Sequence, residues 1–276
     1  MKRVLRWVYT HSGCSGKDGI SVFYTNLLSQ SWPVMINNLR IRRYILKLSF
    51  LIFSTFPVAR GSAQDSSYTR PPVTANWDDY KHQVKADRDK EMIELKSIIP
   101  NIVYDLRYAT INNFMHRLMY PAGTHFTYMR LPAANALQKV QQELNTKGWG
   151  LKIFDAYRPF SVTVKFWELV KDERYVANPS KGSGHNRGIA VDLTIINLAT
   201  GKELNMGTGF DNFTDTAHHT FKQLSKEVLD NRSLLRSIME KNGFKAFDTE
   251  WWHYFLASGD RFEILDIDFK KLKKDL

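Results

Sequence analysis

Two short segments that lie far apart in the chain constrain it most: Ser183–Asp192, which reads Ser-Gly-His-Asn-Arg-Gly-Ile-Ala-Val-Asp, and Glu250–His253, which reads Glu-Trp-Trp-His. Together they supply two imidazoles, one carboxylate able to ligate a metal and one spare carboxylate. That is the inventory of a catalytic zinc site, in which three protein groups hold the metal, a fourth position is left for water, and a nearby Glu takes that water's proton. The run Gly188–Thr194 is β-branched and apolar enough to be a strand. Its alternation sends Ile189, Val191 and Leu193 to one face and Ala190, Asp192 and Thr194 to the other, where the small neighbours of Asp192 leave room for a metal and a substrate. Gly188 allows a tight approach just before the strand, letting His185 fold back towards Asp192. Glu250 and His253 are three apart, so in a regular strand they point to opposite faces. A bulge or a strand entry is needed to bring both to one place. Each segment alone also fits a plainer reading: a surface loop ahead of a buried, hydrogen-bonded Asp, and an aromatic core strand with polar edges.

The chain has 276 residues and a formal charge of +11. That charge invites a nucleic-acid or membrane-surface function, but its distribution argues against it. Nine basic residues (Lys2, Arg3, Arg6, Lys17, Arg40, Arg42, Arg43, Lys47, Arg60) and one acid (Asp18) fall in residues 1–63, so +8 belongs to that stretch and +3 to the rest. The part that folds lacks the basic footprint of a nucleic-acid binder. Arg40, Arg42 and Arg43 precede the apolar run Tyr44–Phe56, and Gly61-Ser-Ala63 follows. This is the layout of a secretory signal peptide ending near Ala63, and it predicts export, to the periplasm. An uncleaved anchor is the alternative reading of this segment, but the apolar run is short for a span of about 20 residues, so no stable membrane insertion is expected after the leader is removed. Residues 1–34 resemble neither leader nor domain, and Met35 is a second candidate start. The single cysteine, Cys14, lies in this upstream piece. The remainder therefore has no disulfide, thiol nucleophile or thiolate ligand.

Residues 1–63 are thus read as an extension and signal peptide, and 64–97 as a Pro-containing linker followed by a peripheral helix. One domain is expected over 98–269, with a solvated basic tail over 270–276. Periodicity predicts helices over 133–146, 161–172 and 224–242, the last stopped by Gly243. It predicts strands over 151–157, 189–196 and 251–256. Without a regular βαβ alternation, the expected architecture is α+β: a single domain with a central antiparallel sheet flanked by helices.

Taken together, the pattern Ser183, His185, Gly188, Ala190, Asp192 … Glu250, Trp252, His253 resembles the zinc D,D-peptidases of the D-Ala-D-Ala dipeptidase and D,D-carboxypeptidase superfamily. Four further segments extend the likeness to the dipeptidase branch: Tyr108–Phe114, Asp155–Pro159, Met206–Asp211 and Leu235–Glu240 with Glu250–Tyr254. The resemblance covers roughly residues 98–256. It implies an α+β fold of the zinc D,D-peptidase (hedgehog-like) type, with one Zn2+ held by His185, Asp192 and His253. It further implies that Glu250 is the general base, that Arg158 stabilises the oxyanion, and that Tyr108, Ser183 and Asp211 bind substrate, Asp211 anchoring the ammonium group of a dipeptide. The activity implied is hydrolysis of D-alanyl-D-alanine in cell-wall peptide turnover. A zinc D,D-carboxypeptidase acting on peptidoglycan stem peptides is the alternative, and a non-catalytic zinc-bearing module a remote one. A small D,D-dipeptide is the expected partner, with no nucleic acid; the sequence does not disclose the oligomeric state. The paired His218-His219 also has a counterpart in the family but is assigned no catalytic role. Gly184 departs from the usual Ser-Ser-His, and its missing side chain is expected to loosen substrate contacts or admit a bulkier residue.

Overall fold

The computed structural model describes residues 69–273. The expected signal peptide and upstream extension, Cys14, and the last residues of the basic tail lie outside them. In chain order the elements are β1 (Val73–Thr74), α1 (Trp77–Ala86), β2 (Met92–Glu94), α2 (Leu95–Ile98), β3 (Val103–Tyr104), β4 (Tyr128–Arg130), α3 (Leu131–Asn145), β5 (Trp149–Asp155), α4 (Phe160–Val170), β6 (Ala190–Asn197), α5 (Lys226–Lys241), β7 (Phe244–Phe247), β8 (Glu250–Leu256), β9 (Ile264–Leu265) and α6 (Phe269–Lys273). Local signals account for most boundaries. The Asn76 side chain accepts the Asp78 and Asp79 amides at the start of α1, Ser225 caps α5, and Pro132 opens α3. Gly243, at φ +93°, lies just past the Asn242 cap of α5, in the left-handed conformation that a Gly after a helix adopts.

The main sheet has five strands in the order β3-β5-β6-β8-β7. The four strands from β5 to β7 pair antiparallel, as expected; the edge strand β3 runs parallel to β5, so the sheet is mixed. The reason is the connection: the chain between β3 and β5 includes α3, and a crossover of that length returns a strand in the same direction. Helices α3 and α5 pack on each other and against β5, β7 and β8. Into this core go Ile189, Val191, Leu193 and Ile195, together with Leu137, Val140 and Leu144 of α3 and Leu235, Ile238 and Met239 of α5. At about 1.5–3 kcal/mol per buried side chain, this set fixes which face of β6 looks at the helices, and therefore which face Asp192 looks away from.

Two stretches differ from the sequence reading. Residues 92–94, placed there with the linker, form β2 and pair antiparallel with β4, so they are integral to the fold. The basic run after Phe269 is not a loose tail: it forms α6, pinned by buried Phe269 and Leu272 while Lys270, Lys271 and Lys273 stay exposed. Among the described residues no helix is long and apolar enough to cross a membrane.

Candidate active site

Connecting segments and helix α4, together with residues of β6 and β8, enclose a cavity of about 430 Å³. His185, Asp192, Glu250, Trp252, His253, Arg158, Tyr108, Asp211 and Ser183 all line it. Every residue given a metal-ligand, catalytic or substrate-binding role from the sequence thus lines this one cavity, whereas Gly188, Ala190 and the His218-His219 pair do not.

Register explains the metal side. Asp192 on β6 and His253 on β8 are direct antiparallel partners, so both side chains leave the sheet on one face side by side. His185 arrives from the turn before β6. Gly188, at φ +72°, is in a conformation that L side chains rarely adopt, and a Cβ there would lie 2.7 Å from Met92 Sδ. The His185 Nδ1–H faces the Ala156 carbonyl at 2.7 Å, which directs the Nε2 lone pair to the centre. His185 Nε2, His253 Nδ1 and the Asp192 carboxylate then converge, with separations of 3.2 Å between the nitrogens, 2.9 Å from His253 Nδ1 to Oδ1 and 3.4 Å from His185 Nε2 to Oδ2. Bonds of about 2.0–2.1 Å at tetrahedral angles set ligand atoms about 3.3 Å apart, so the three residues fit a zinc ion. Among the described residues they form the one cluster of its kind. Burial opposes the Asp192 carboxylate, but His185 and His253 outweigh it and hold its pKa well below the usual range.

The path of Glu250 was the open question of the sequence, and an irregularity in β8 answers it. Ala246 pairs with Tyr254, whereas the next residue, Phe247, pairs with Glu250, so Trp251, Trp252 and His253 bulge out opposite no residue of β7. The bulge turns Glu250 towards His253, with Oε2 3.9 Å from Nδ1. Burial pushes the Glu250 carboxyl up to about 7, against the opposing pull of His253.

The facing wall is built on loops. Arg158, just after β5, donates from Nε and Nη2 to Asp155 Oδ2 at 3.0 and 2.8 Å, and lies over the rings of Tyr108 and Phe166 at 5.1 and 4.9 Å. Burial works against its cation, and Asp155 more than compensates, so Arg158 stays charged. The Tyr108 hydroxyl donates to Asp211 at 3.0 Å. Asp211 has φ +59°, a left-handed conformation uncommon for a residue with a side chain, and among the described residues no salt bridge reaches it. Burial, reinforced by Asp192, raises its pKa well above the usual carboxylate range. Ser183 is partly committed to its own turn, its Oγ accepting the Asn186 amide at 3.2 Å.

The expectation for Gly184 is corrected: a Cβ there would lie 2.8 Å from the Ala190 Cβ, so that direction is filled by the strand and opens no room. Sequence reasoning missed Tyr120, whose hydroxyl donates to Asp155 Oδ1 at 2.5 Å and which no local pattern could have exposed. Phe210 lay inside the matched Met206–Asp211 segment without a role; it stacks on Phe154 at 4.9 Å and is set edge-on to Trp252.

Residues 88–270 match the family model described as D-ala-D-ala dipeptidase. The chain belongs to this family. It is a metallopeptidase with a His/Asp/His metal cluster. It is 32% identical over 179 residues to the D-alanyl-D-alanine dipeptidase of Escherichia coli K12, covering 65% of this chain and 91% of that one. It is 34% identical over 180 residues to the enzyme of that name from Enterococcus faecium, covering 59% and 89%. A solved LD-carboxypeptidase, LdcB, overlaps 49% of this chain and 61% of its own at 21% identity and a TM-score of 0.33.

Proposed function

We propose that this metallopeptidase hydrolyses the dipeptide D-alanyl-D-alanine to two D-alanines, in turnover of cell-wall peptides outside the inner membrane. One observation carries the reading: part-buried Asp211 shares the cavity with the metal-ligand cluster, accepts a tyrosine hydroxyl and, among the described residues, has no salt-bridge partner, the Arg158 guanidinium being bound to Asp155 instead. A buried carboxylate without a counter-charge is costly, and the free ammonium of a dipeptide supplies one. An internal residue of a longer peptide has no such charge and leaves Asp211 unpaired, which makes the site a filter for length.

His185, Asp192 and His253 would hold a zinc ion. The chemistry such an ion supplies when bound is a lowered pKa for water and a polarised carbonyl. Glu250 takes the proton that water releases as it attacks, holds it in its partly buried position, and passes it to the leaving amine; a carboxyl raised to about 7 suits both transfers near neutral pH. Arg158, locked by Asp155, presents its guanidinium to the oxyanion that develops on the carbonyl. Tyr108 and Asp211 orient the substrate amine, and Ser183 lies where it can bind the dipeptide. The proposed fold type is the zinc D,D-peptidase one, with the catalytic domain preceded by an exported leader.

The test is incubation of the zinc-loaded protein with D-Ala-D-Ala and, in parallel, with a stem pentapeptide. Release of D-alanine from the dipeptide with little from the pentapeptide supports the reading. Cleavage of the pentapeptide alone replaces it with the D,D-carboxypeptidase.

A further inference from the structure

Asp211 sits at the tip of a long irregular loop, and such a loop does not hold a carboxylate in place by itself. Its two ends meet at one side chain. Arg232 of α5, 5% exposed, donates from Nε to the Met206 carbonyl at 2.8 Å and from Nη1 to the Thr216 and His218 carbonyls at 3.0 and 3.3 Å. No carboxylate pairs with it among the described residues, so its fixed planar fork is spent on backbone carbonyls at the beginning and end of the loop. The neighbouring Asn231 donates to the Asn205 carbonyl at 2.9 Å, reinforcing the first end. Gly207 permits the close approach: it has φ +81°, and a Cβ there would meet Val228 of α5 at 2.8 Å and Arg232 Nη2 at 3.6 Å.

The same clamp reaches the strand that carries the general base. The Arg232 guanidinium lies over the Trp251 ring at 6.0 Å, and Trp251 Nε1 donates to Thr208 Oγ1 inside the loop at 2.8 Å. At the far end the His219 amide donates to the Asp248 carbonyl at 2.9 Å, in the turn just ahead of Glu250. This gives the His218-His219 pair a place: it is where the Asp211 loop is tied to the β7–β8 hairpin. The amine anchor and the base are therefore set relative to one another through Arg232 and the backbone it gathers.

We infer that Arg232 is a positioning residue for substrate length: by closing the Met206–His218 loop onto α5 and β8 it fixes Asp211 at one dipeptide's reach from the metal cluster. The inference rests on the proposed role of Asp211 as amine anchor. Arg232 touches no substrate, and Glu250 is held independently by the pairing of β8 with β6 and β7 whereas the Asp211 loop has no ladder of its own, so the effect falls mainly on recognition of the free amine and little on the bond-breaking step. Lysine in its place keeps a charge and three donors but carries them on one nitrogen, which cannot reproduce the fork whose Nε and Nη1 reach carbonyls at both ends of the loop.

The experiment compares D-Ala-D-Ala with its N-acetylated form in the zinc-loaded wild type, Arg232→Met and Arg232→Lys, with zinc content and thermal unfolding measured alongside. The expected result for Arg232→Met is a rise of at least tenfold in KM for the free dipeptide with kcat changed by less than about threefold, and a fall of similar size in the preference for the free amine. One zinc per chain is retained, and Arg232→Lys lies between Arg232→Met and wild type. An unchanged preference for the free amine overturns the inference, even if overall activity or melting temperature drops, because a residue that only stabilises the fold lowers turnover of both substrates alike. If Arg232→Met does not fold, Arg232→Lys decides by the same ratio. A wild type that shows no preference for the free amine removes the amine-anchor role itself; preference in the wild type that survives both substitutions removes only the role of Arg232.

Discussion

The two walls of the cavity are held by different physics. The metal wall stands on central strands: Asp192 and His253 are register partners in β6 and β8, both deep in the sheet, and His185 is aimed by a carbonyl beside β5. The opposite wall stands on connections, where Arg158, Tyr108 and Asp211 are placed by side-chain hydrogen bonds and aromatic packing rather than by a ladder. A strand register is discrete: a slip of one residue turns every side chain over, so a ligand pair built on it is either correct or absent. A loop wall can shift by fractions of an ångström. The difference puts the candidate metal ligands and Glu250 on the rigid wall, and Arg158, Tyr108 and Asp211 on the adjustable one, and each site substitution below bears on one wall.

The largest effect belongs to the rigid wall. Glu250→Ala is expected to lower turnover by about 10²–10⁴-fold, the usual worth of a positioned acid–base group, while metal analysis still finds one zinc per chain. Retained turnover removes Glu250 from the base role, and loss of zinc shows that the bulge serves the ligands instead. Next comes the anchor of the loop wall. Asp155→Ala leaves the Arg158 charge buried and unpaired and is expected to cost about 3–5 kcal/mol in a denaturant titration. Arg158→Ala combined with it restores much of that stability without restoring activity. If the single and double variants are equally unstable, the pair does not hold this wall.

A smaller change separates recognition from chemistry. Tyr108→Phe keeps the ring over Arg158 and removes the hydroxyl from Asp211, so KM for the dipeptide should rise by roughly tenfold, the worth of one hydrogen bond to a charged group, with a lesser fall in kcat. A fall confined to kcat contradicts the assignment of Tyr108 to the amine side. The smallest effect is one of stability. Burial, with Arg236 and Arg232 nearby, lowers the His219 pKa from 6.5 to about 4. Between those values the unfolded chain takes up a proton that the folded one refuses, so this contribution is complete above pH 6.5 and is lost as pH falls towards 4. Melting temperatures of His219→Gln should decline less than those of the wild type across that window; parallel declines exclude His219 as a source of acid sensitivity.

Much of the site was legible because its residue types are unusual and its neighbours periodic. The alternation of Ile189, Val191 and Leu193 against Asp192 predicts the face Asp192 takes, and β6 follows it. The three-residue spacing of Glu250 and His253 requires a bulge or a strand entry, and both are present: Glu250 opens β8 and the strand bulges directly after it. Less legible were the edge strand β3, whose direction depends on the crossover through α3, and the role of residues 92–94, whose partner strand is β4. Gly184 misled because its open side cannot be read without knowing that Ala190 stands against it. Tyr120 and Arg232 escaped notice because each acts on residues remote in sequence, through contacts that no local pattern encodes.

By itself, the sequence determined the chemistry available to this protein: which imidazoles and carboxylates exist, which strand face carries Asp192, and which helices have an apolar side to bury. Those properties depend on residues within a turn or two of each other, where backbone periodicity acts directly. The tertiary structure alone decided that Asp192 lies opposite His253, that Glu250 turns in at a bulge, and that Asp211 is fixed across the cavity by Tyr108 at its tip and Arg232 at its base. Such choices depend on which distant segments share hydrogen bonds and a core, and that is settled only when the whole sheet closes.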